Sequence, residues 1–158
     1  MPLTAKTVRS QLERIKPLLE TSSIENQRKG QELLGALMGL RQRRQVVVKE
    51  HPFEGFSGAW VIPKDERRQG VILYLHGGGY VCGDGEDARA FGSVLAVQTG
   101  AKVLAPAYRL APEHPFPAAL EDALESYRYL LDKGYDARHI CLCGESSGGG
   151  LCFSLCLR

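Results

Sequence analysis

No stretch of this sequence is long and apolar enough to form a membrane span. Its longest unbroken apolar run is five residues, Val71 to Leu75, against the ~20 that a transmembrane helix needs. The opening Met1-Pro2-Leu3-Thr4 lacks a charged region leading into an apolar one, so no secretory leader is visible. A cytoplasmic protein with no membrane partner is expected. A dominant charge of one sign is missing too: 20 Lys/Arg against 18 Asp/Glu leave a net charge of +2. The excess of basic residues falls in residues 1–44, where nine Lys/Arg face four Glu, but they are scattered among acids and polar residues. That pattern reads as a solvated helix face, and no nucleic-acid partner is expected.

Metal-ligand spacing is likewise absent. Of five cysteines, Cys141 and Cys143 share one face of a short apolar run, while Cys152 and Cys156 lie one helical turn apart after it. C-x-C followed by C-x-x-x-C is a poor match to zinc spacings. The thiols read as small buried apolar groups, with Cys82 the one expected to be exposed. No metal and no other cofactor is expected.

Two glycine-rich motifs dominate what is present. Gly144-Glu145-Ser146-Ser147-Gly148 has the form G-x-S-x-G, with the apolar run His139 to Cys143 before it and a potential helix after it. Strand, sharp turn and helix in that order are the setting of a nucleophile elbow, in which the serine hydroxyl projects above a sheet. Ser146 is the candidate nucleophile, because counting from Ser147 would require glycine at position 145. The second motif, His76-Gly77-Gly78-Gly79-Tyr80, follows the strand-like run Val71 to Leu75. Successive glycines leave backbone N–H groups uncovered, as an oxyanion loop requires. A phosphate-binding P-loop needs lysine and a hydroxyl residue after its last glycine, and Tyr80-Val81 stand there instead.

With a third block, Tyr108-Arg109-Leu110-Ala111-Pro112-Glu113-His114-Pro115-Phe116-Pro117-Ala118-Ala119, these motifs resemble the hormone-sensitive-lipase-like branch of the α/β-hydrolases, from about residue 45 to the last residue. The family's serine turn more often carries aspartate and alanine where Glu145 and Ser147 stand. Glu145 is expected to point away from the nucleophile. The resemblance implies an α/β fold with a mostly parallel sheet, of which residues 45–158 are the N-terminal half, preceded by a helical cap segment over residues 1–44. It also implies a carboxylic ester hydrolase acting on small-molecule esters through Ser146. The N–H groups of Gly78, Gly79 and Ser147 would form the oxyanion hole, and His76 and Gly77 would support the loop. Plant gibberellin receptors resemble the same family and hold a ligand in this pocket, so a non-catalytic binder is the alternative, and an amidase or peptidase is a third reading.

Residue periodicity fills in the elements. Leu12, Ile15, Leu18 and Leu19 mark one N-terminal helix, and Leu33, Leu34, Leu37 and Met38 a second, opened by the S-x-x-E box at Ser22. Strands are expected at 46–50, 58–62, 71–75, 102–106 and 139–143. Helices are expected at 87–99, stopped by Gly100, and from Leu120 to a stop at Gly134. Strands alternating with helices imply a parallel sheet.

The last absence concerns mechanism. Serine hydrolases of this fold order their triad Ser, Asp/Glu, His along the chain. Only twelve residues follow Ser146, none of them acidic or histidine, and His51, His76, His114 and His139 all precede it. The sheet is therefore expected to be incomplete and this chain alone inactive, with the acid and base on a C-terminal half that a second polypeptide could supply.

Overall fold

A computed structural model describes residues 23–158, together with Arg9 and Glu13, which are helical. Leu12, Ile15, Leu18 and Leu19 of the first expected helix lie outside the described residues, as do the side chains of Leu33, Leu34, Leu37 and Met38. The second helix is present as α1 (Ile24–Gly39). Its N-cap is Ser23, whose hydroxyl accepts from the Asn26 N–H at 3.3 Å, so the cap sits one residue later than the S-x-x-E box indicated.

Five strands follow: β1 (Val46–Pro52), β2 (Ser57–Pro63), β3 (Val71–Leu75), β4 (Lys102–Ala107) and β5 (Ile140–Gly144). They form one mixed sheet in the order β1-β2-β4-β3-β5. β1 and β2 pair antiparallel as a hairpin and β2 pairs antiparallel with β4. β3 runs parallel to both of its neighbours, β4 and β5. β3, paired on both sides, is buried at all five positions. Val71, Leu73 and Leu75 point into one core and Ile72 and Tyr74 into the other, which is why the strand reads as a continuous apolar run rather than an alternating one.

The helices cover both faces. On one side α2 (Gly85–Thr99) sets Ala88 and Ala96 against Val61, Val103 and Ala105. It begins at the N-cap Asp84, whose carboxylate accepts from the Glu86 and Asp87 N–H groups, and ends at Gly100 with φ +70, the left-handed stop that the sequence suggested. On the other side α3 (Ala118–Asp132) and α4 (Ser147–Cys156) bring Ala123, Leu130, Leu151 and Leu155 onto Leu73, Leu75 and Leu104. A short 3₁₀ turn, Ala137–His139, leads into β5. α1 packs on α2, close enough that Gly35 lies directly against the Asp87 carboxylate. No described helix is long and apolar enough to cross a membrane.

The cysteines reverse the expected exposure. Cys82 is buried, its thiol 3.8 Å from Gln27 Oε1 under α1, whereas Cys141 and Cys156 are exposed. The reason is topological. β5 has a strand on one side only, and α4 carries Cys156, Phe153 (78% exposed) and Leu157 (88% exposed) on its outer surface and just beyond it.

Asp122 is the one fully buried charged side chain of α3. Its carboxylate accepts from the Arg109 N–H at 2.7 Å, from Arg109 Nε at 3.0 and 3.1 Å and from Arg109 Nη2 at 2.6 Å. The pair pins the loop after β4 to the start of α3. Asp122→Ala leaves the half-buried guanidinium and a backbone N–H without their acceptor, and we expect a loss of about 2–3 kcal/mol in urea denaturation.

Candidate active site

Ser146 and Tyr80 are the two non-glycine residues with positive φ among the described residues. Ser146 has φ +49 and ψ −120, a region that non-glycine residues occupy at a cost of order 1–3 kcal/mol. Two close approaches hold it there. A Cβ on Gly148 would run into the carbonyl oxygen of Leu75, and one on Gly144 would come within 2.5 Å of the Gly148 backbone. The first turn of α4 is thereby pressed onto the C-terminal end of β3, and the chain must reverse sharply through Ser146 to get there. Ser146 is exposed at the tip, while Ser147 and Gly148 are buried beneath it.

The glycine loop leaves the same end of β3. The Gly78 carbonyl accepts from the N–H groups of Val81 at 3.1 Å and Cys82 at 2.9 Å, closing a tight turn. Gly78 (φ +117), Gly79 (φ +62) and Tyr80 (φ +64) all lie in the left-handed half of backbone space. The loop's backbone bonds use neither the Gly78 nor the Gly79 N–H, and as the first residue of α4 Ser147 has no intrahelical acceptor for its own. Glu145 contributes more than expected. Its carboxylate accepts from the Gly77 N–H at 3.3 Å and ties the serine turn to the glycine loop.

His76 is 1% exposed and its ring stacks on Tyr108 with centroids 4.1 Å apart. Nδ1 lies 2.8 Å from the Gly77 carbonyl, so Nδ1 carries the proton and Nε2 is an acceptor, buried with no partner. Burial lowers the pKa of His76, which favours the neutral ring. The Tyr108 hydroxyl donates to the His76 carbonyl at 2.6 Å, which is how the loop after β4 braces the glycine loop.

Ser146, Glu145, His76 and Gly77–Gly79 line one cavity of about 960 Å³, roofed by α1. Of the four histidines, only His76 lines it. His114 is exposed in the proline-rich loop and His51 stacks on Tyr129. No group of histidine, cysteine and carboxylate side chains able to hold a metal ion occurs among the described residues.

Sequence reasoning missed Arg28, which fastens the roof. From α1 its Nε donates to the Val81 carbonyl at 2.7 Å and Nη2 to the Ala111 carbonyl at 2.9 Å, while both terminal nitrogens hold the Glu113 carboxylate at 2.8 Å. Position 28 carried no spacing signal, and the charge excess of residues 1–44 had hidden it among solvated residues. Asp87 was missed for a similar reason, having been read as a helix-start acid. Desolvation, with Asp84 and Glu145 nearby, raises its pKa to about 6.

A mixed sheet with helices on both faces, a glycine loop after β3 and a serine turn after its parallel neighbour β5 defines an α/β-hydrolase-type protein. Comparison with known proteins agrees. A family model described as alpha/beta hydrolase fold matches residues 72–158. The chain is similar to an acetyl-hydrolase of Streptomyces hygroscopicus (47% identity over 96 residues, 60% of this chain and 31% of the relative). It is also similar to an ethyl acetate hydrolase of Pseudomonas putida (44% identity over 87 residues, 51% of this chain and 27% of the relative). Among solved structures, an esterase of the bacterial hormone-sensitive lipase family superposes with a TM-score of 0.78 at 34% identity, over 98% of this chain and 52% of that one. The chain belongs to the alpha/beta hydrolase fold family, within its hormone-sensitive-lipase-like branch. It spans about half or less of the length of these proteins.

Two outcomes follow from this geometry. Gly148→Ala forces α4 off the end of β3, and we expect it to be folded in little or none of the sample by circular dichroism. The hydrogen-bonded Arg28 guanidinium holds Glu113 down to about 2, from an ordinary 4.5. A depressed carboxylate stabilises fully above its ordinary value and loses that contribution as pH falls toward the folded one. The Glu113 side-chain carboxyl resonance should therefore titrate at about 2 in the unmodified chain and return toward its ordinary value in Arg28→Gln, as read by NMR over pH 2–6.

Proposed function

We propose that this chain carries the nucleophile and the oxyanion hole of a serine carboxylic ester hydrolase. One observation bears most of the weight: a strained serine turn shares a cavity with a glycine loop in which the Gly78 and Gly79 N–H groups have no backbone acceptor among the described residues. Ser146 Oγ attacks the ester carbonyl carbon, and the N–H groups of Gly78, Gly79 and Ser147 hold the oxygen that becomes negative. The bond to the alcohol then breaks, giving an acyl-enzyme and a free alcohol. Water attacks the acyl carbon in turn and releases the acid. His76 and Gly77 position the loop. The relatives named as acetyl-hydrolase and ethyl acetate hydrolase support esters of small acids as substrates.

The proton on Ser146 needs a base, and His76 is not it, because its ring is stacked on Tyr108 with Nδ1 committed to Gly77. We assign the base and its orienting acid to structure outside residues 1–158, on a continuation of the chain or a second polypeptide. That structure would dock on the β5 edge and the outer face of α4, where Phe153, Leu157, Cys141 and Cys156 are exposed. Residues 1–44 act as the cap segment and residues 45–158 as the first half of the catalytic core, in a cytoplasmic enzyme.

In a protein joining residues 1–158 to the rest of the fold, Ser146→Ala should remove fluorophosphonate labelling and lower ester kcat by about a millionfold. Residues 1–158 alone should show no ester turnover above a slow background. Turnover that survives Ser146→Ala overturns the assignment.

A further inference from the structure

The part of the Ser146 cavity farthest along α2 and α1 plays no role in the ester chemistry above, and its make-up is one-sided. Among the described residues Asp87 and Glu145 are the charged members of its lining, with no lysine or arginine beside them. Glu145 is engaged by the Gly77 N–H. The Asp87 carboxylate takes a side-chain hydrogen bond from Gln31, but its Oδ2 is buried with no partner among the described residues, and the charged groups that act on it, Asp84, Glu145 and Glu32, are all acidic. The nearby arginines are committed elsewhere: Arg89 to Glu50 and Glu86, Arg28 to Glu113. A desolvated carboxylate with no counter-ion regains its lost solvation when a cation enters beside it.

A second, independent feature lies in the same wall. The rings of Tyr74 and Phe91 stack with centroids 5.1 Å apart and both line the cavity. Tyr74 is 1% exposed and Phe91 half-buried, and burial, with the Glu145 and Asp87 carboxylates adding to it, raises the Tyr74 pKa. Aromatic faces beside carboxylates are the chemistry that holds quaternary and protonated amines.

We propose that this end of the cavity is an ammonium site, in which Asp87 and the Tyr74–Phe91 pair receive a cationic nitrogen carried by the substrate. Esters with an ammonium group on the acyl or alcohol side are then preferred over neutral esters of the same shape, and anionic esters are excluded. The substrate class rests on the ester-hydrolase reading above; the ammonium site itself does not require Ser146.

The test uses the 158-residue chain and two probes of equal shape, choline and its neutral isostere 3,3-dimethylbutan-1-ol, titrated by NMR at neutral pH. Choline is expected to bind about tenfold more tightly, a difference of about 1.4 kcal/mol. The isosteric Asp87→Asn should abolish that preference while leaving the neutral alcohol's affinity unchanged, and Phe91→Leu should weaken choline more than the alcohol. Equal binding of the two probes to the unmodified chain overturns the proposal without recourse to any variant, as does a preference that survives Asp87→Asn. A chain that prefers choline in a protein that Ser146→Ala leaves active would sink the ester reading alone. Ester turnover lost with Ser146→Ala, without any choline preference, would sink the ammonium site alone.

Discussion

The contact between Gly148 and the end of β3 governs this architecture. With no side chain in between, the first turn of α4 lies against the carbonyl groups of Leu75 and His76. That contact places the serine turn and the glycine loop side by side, because both leave the C-terminal end of neighbouring parallel strands. The positive φ of Ser146 is the conformational cost of the contact, of order 1–3 kcal/mol. The packing of Leu151 and Leu155 onto Leu73 and Leu75 is available to offset it, since burying one such side chain stabilises by about 1.5–3 kcal/mol.

Around that joint the polar contacts link elements far apart in sequence. Glu145 reaches the Gly77 N–H, Tyr108 the His76 carbonyl, Arg109 the Asp122 carboxylate and Arg28 the loops at Val81 and Ala111. Each crosses from one loop or helix to another over the same edge of the sheet. Together they give the glycine loop a defined shape, although three consecutive residues of it, Gly78 to Tyr80, have positive φ. The roof is attached differently from the floor. Among the described residues α1 meets the loops through the Arg28 guanidinium and its partners and through Gln27 beside the Cys82 thiol, so its docking responds to charge, whereas the floor is held by apolar burial.

Much of this was legible in the sequence for identifiable reasons. β3, α2 and the serine turn were readable because their signals are local: a run of five apolar residues, a glycine at a helix end, two glycines flanking a serine. The S-x-x-E box misplaced the first cap by one residue, since Ser22 and Ser23 both offer a hydroxyl and only packing chooses between them. Cys82 and Cys141 exchanged their expected exposures because burial depends on which strand is an edge and on where α1 folds back. Asp122 looked like any acid in the first turn of a helix until Arg109 was found against it.

By itself the sequence determined the identity and order of the elements, the serine turn, the glycine loop and the lack of a histidine or acid among residues 147–158. Those properties rest on steric rules that operate within a few residues, on backbone angles only glycine tolerates and on apolar periodicity. Only the tertiary structure decided that Glu145 faces Gly77, that Arg28 clamps two loops, that His76 is spent on stacking and that Asp87 stands without a counter-ion beside Tyr74 and Phe91. Hydrogen bonds and charge effects of that kind depend on distances of a few ångströms between residues many positions apart, and such distances exist only once the chain has folded.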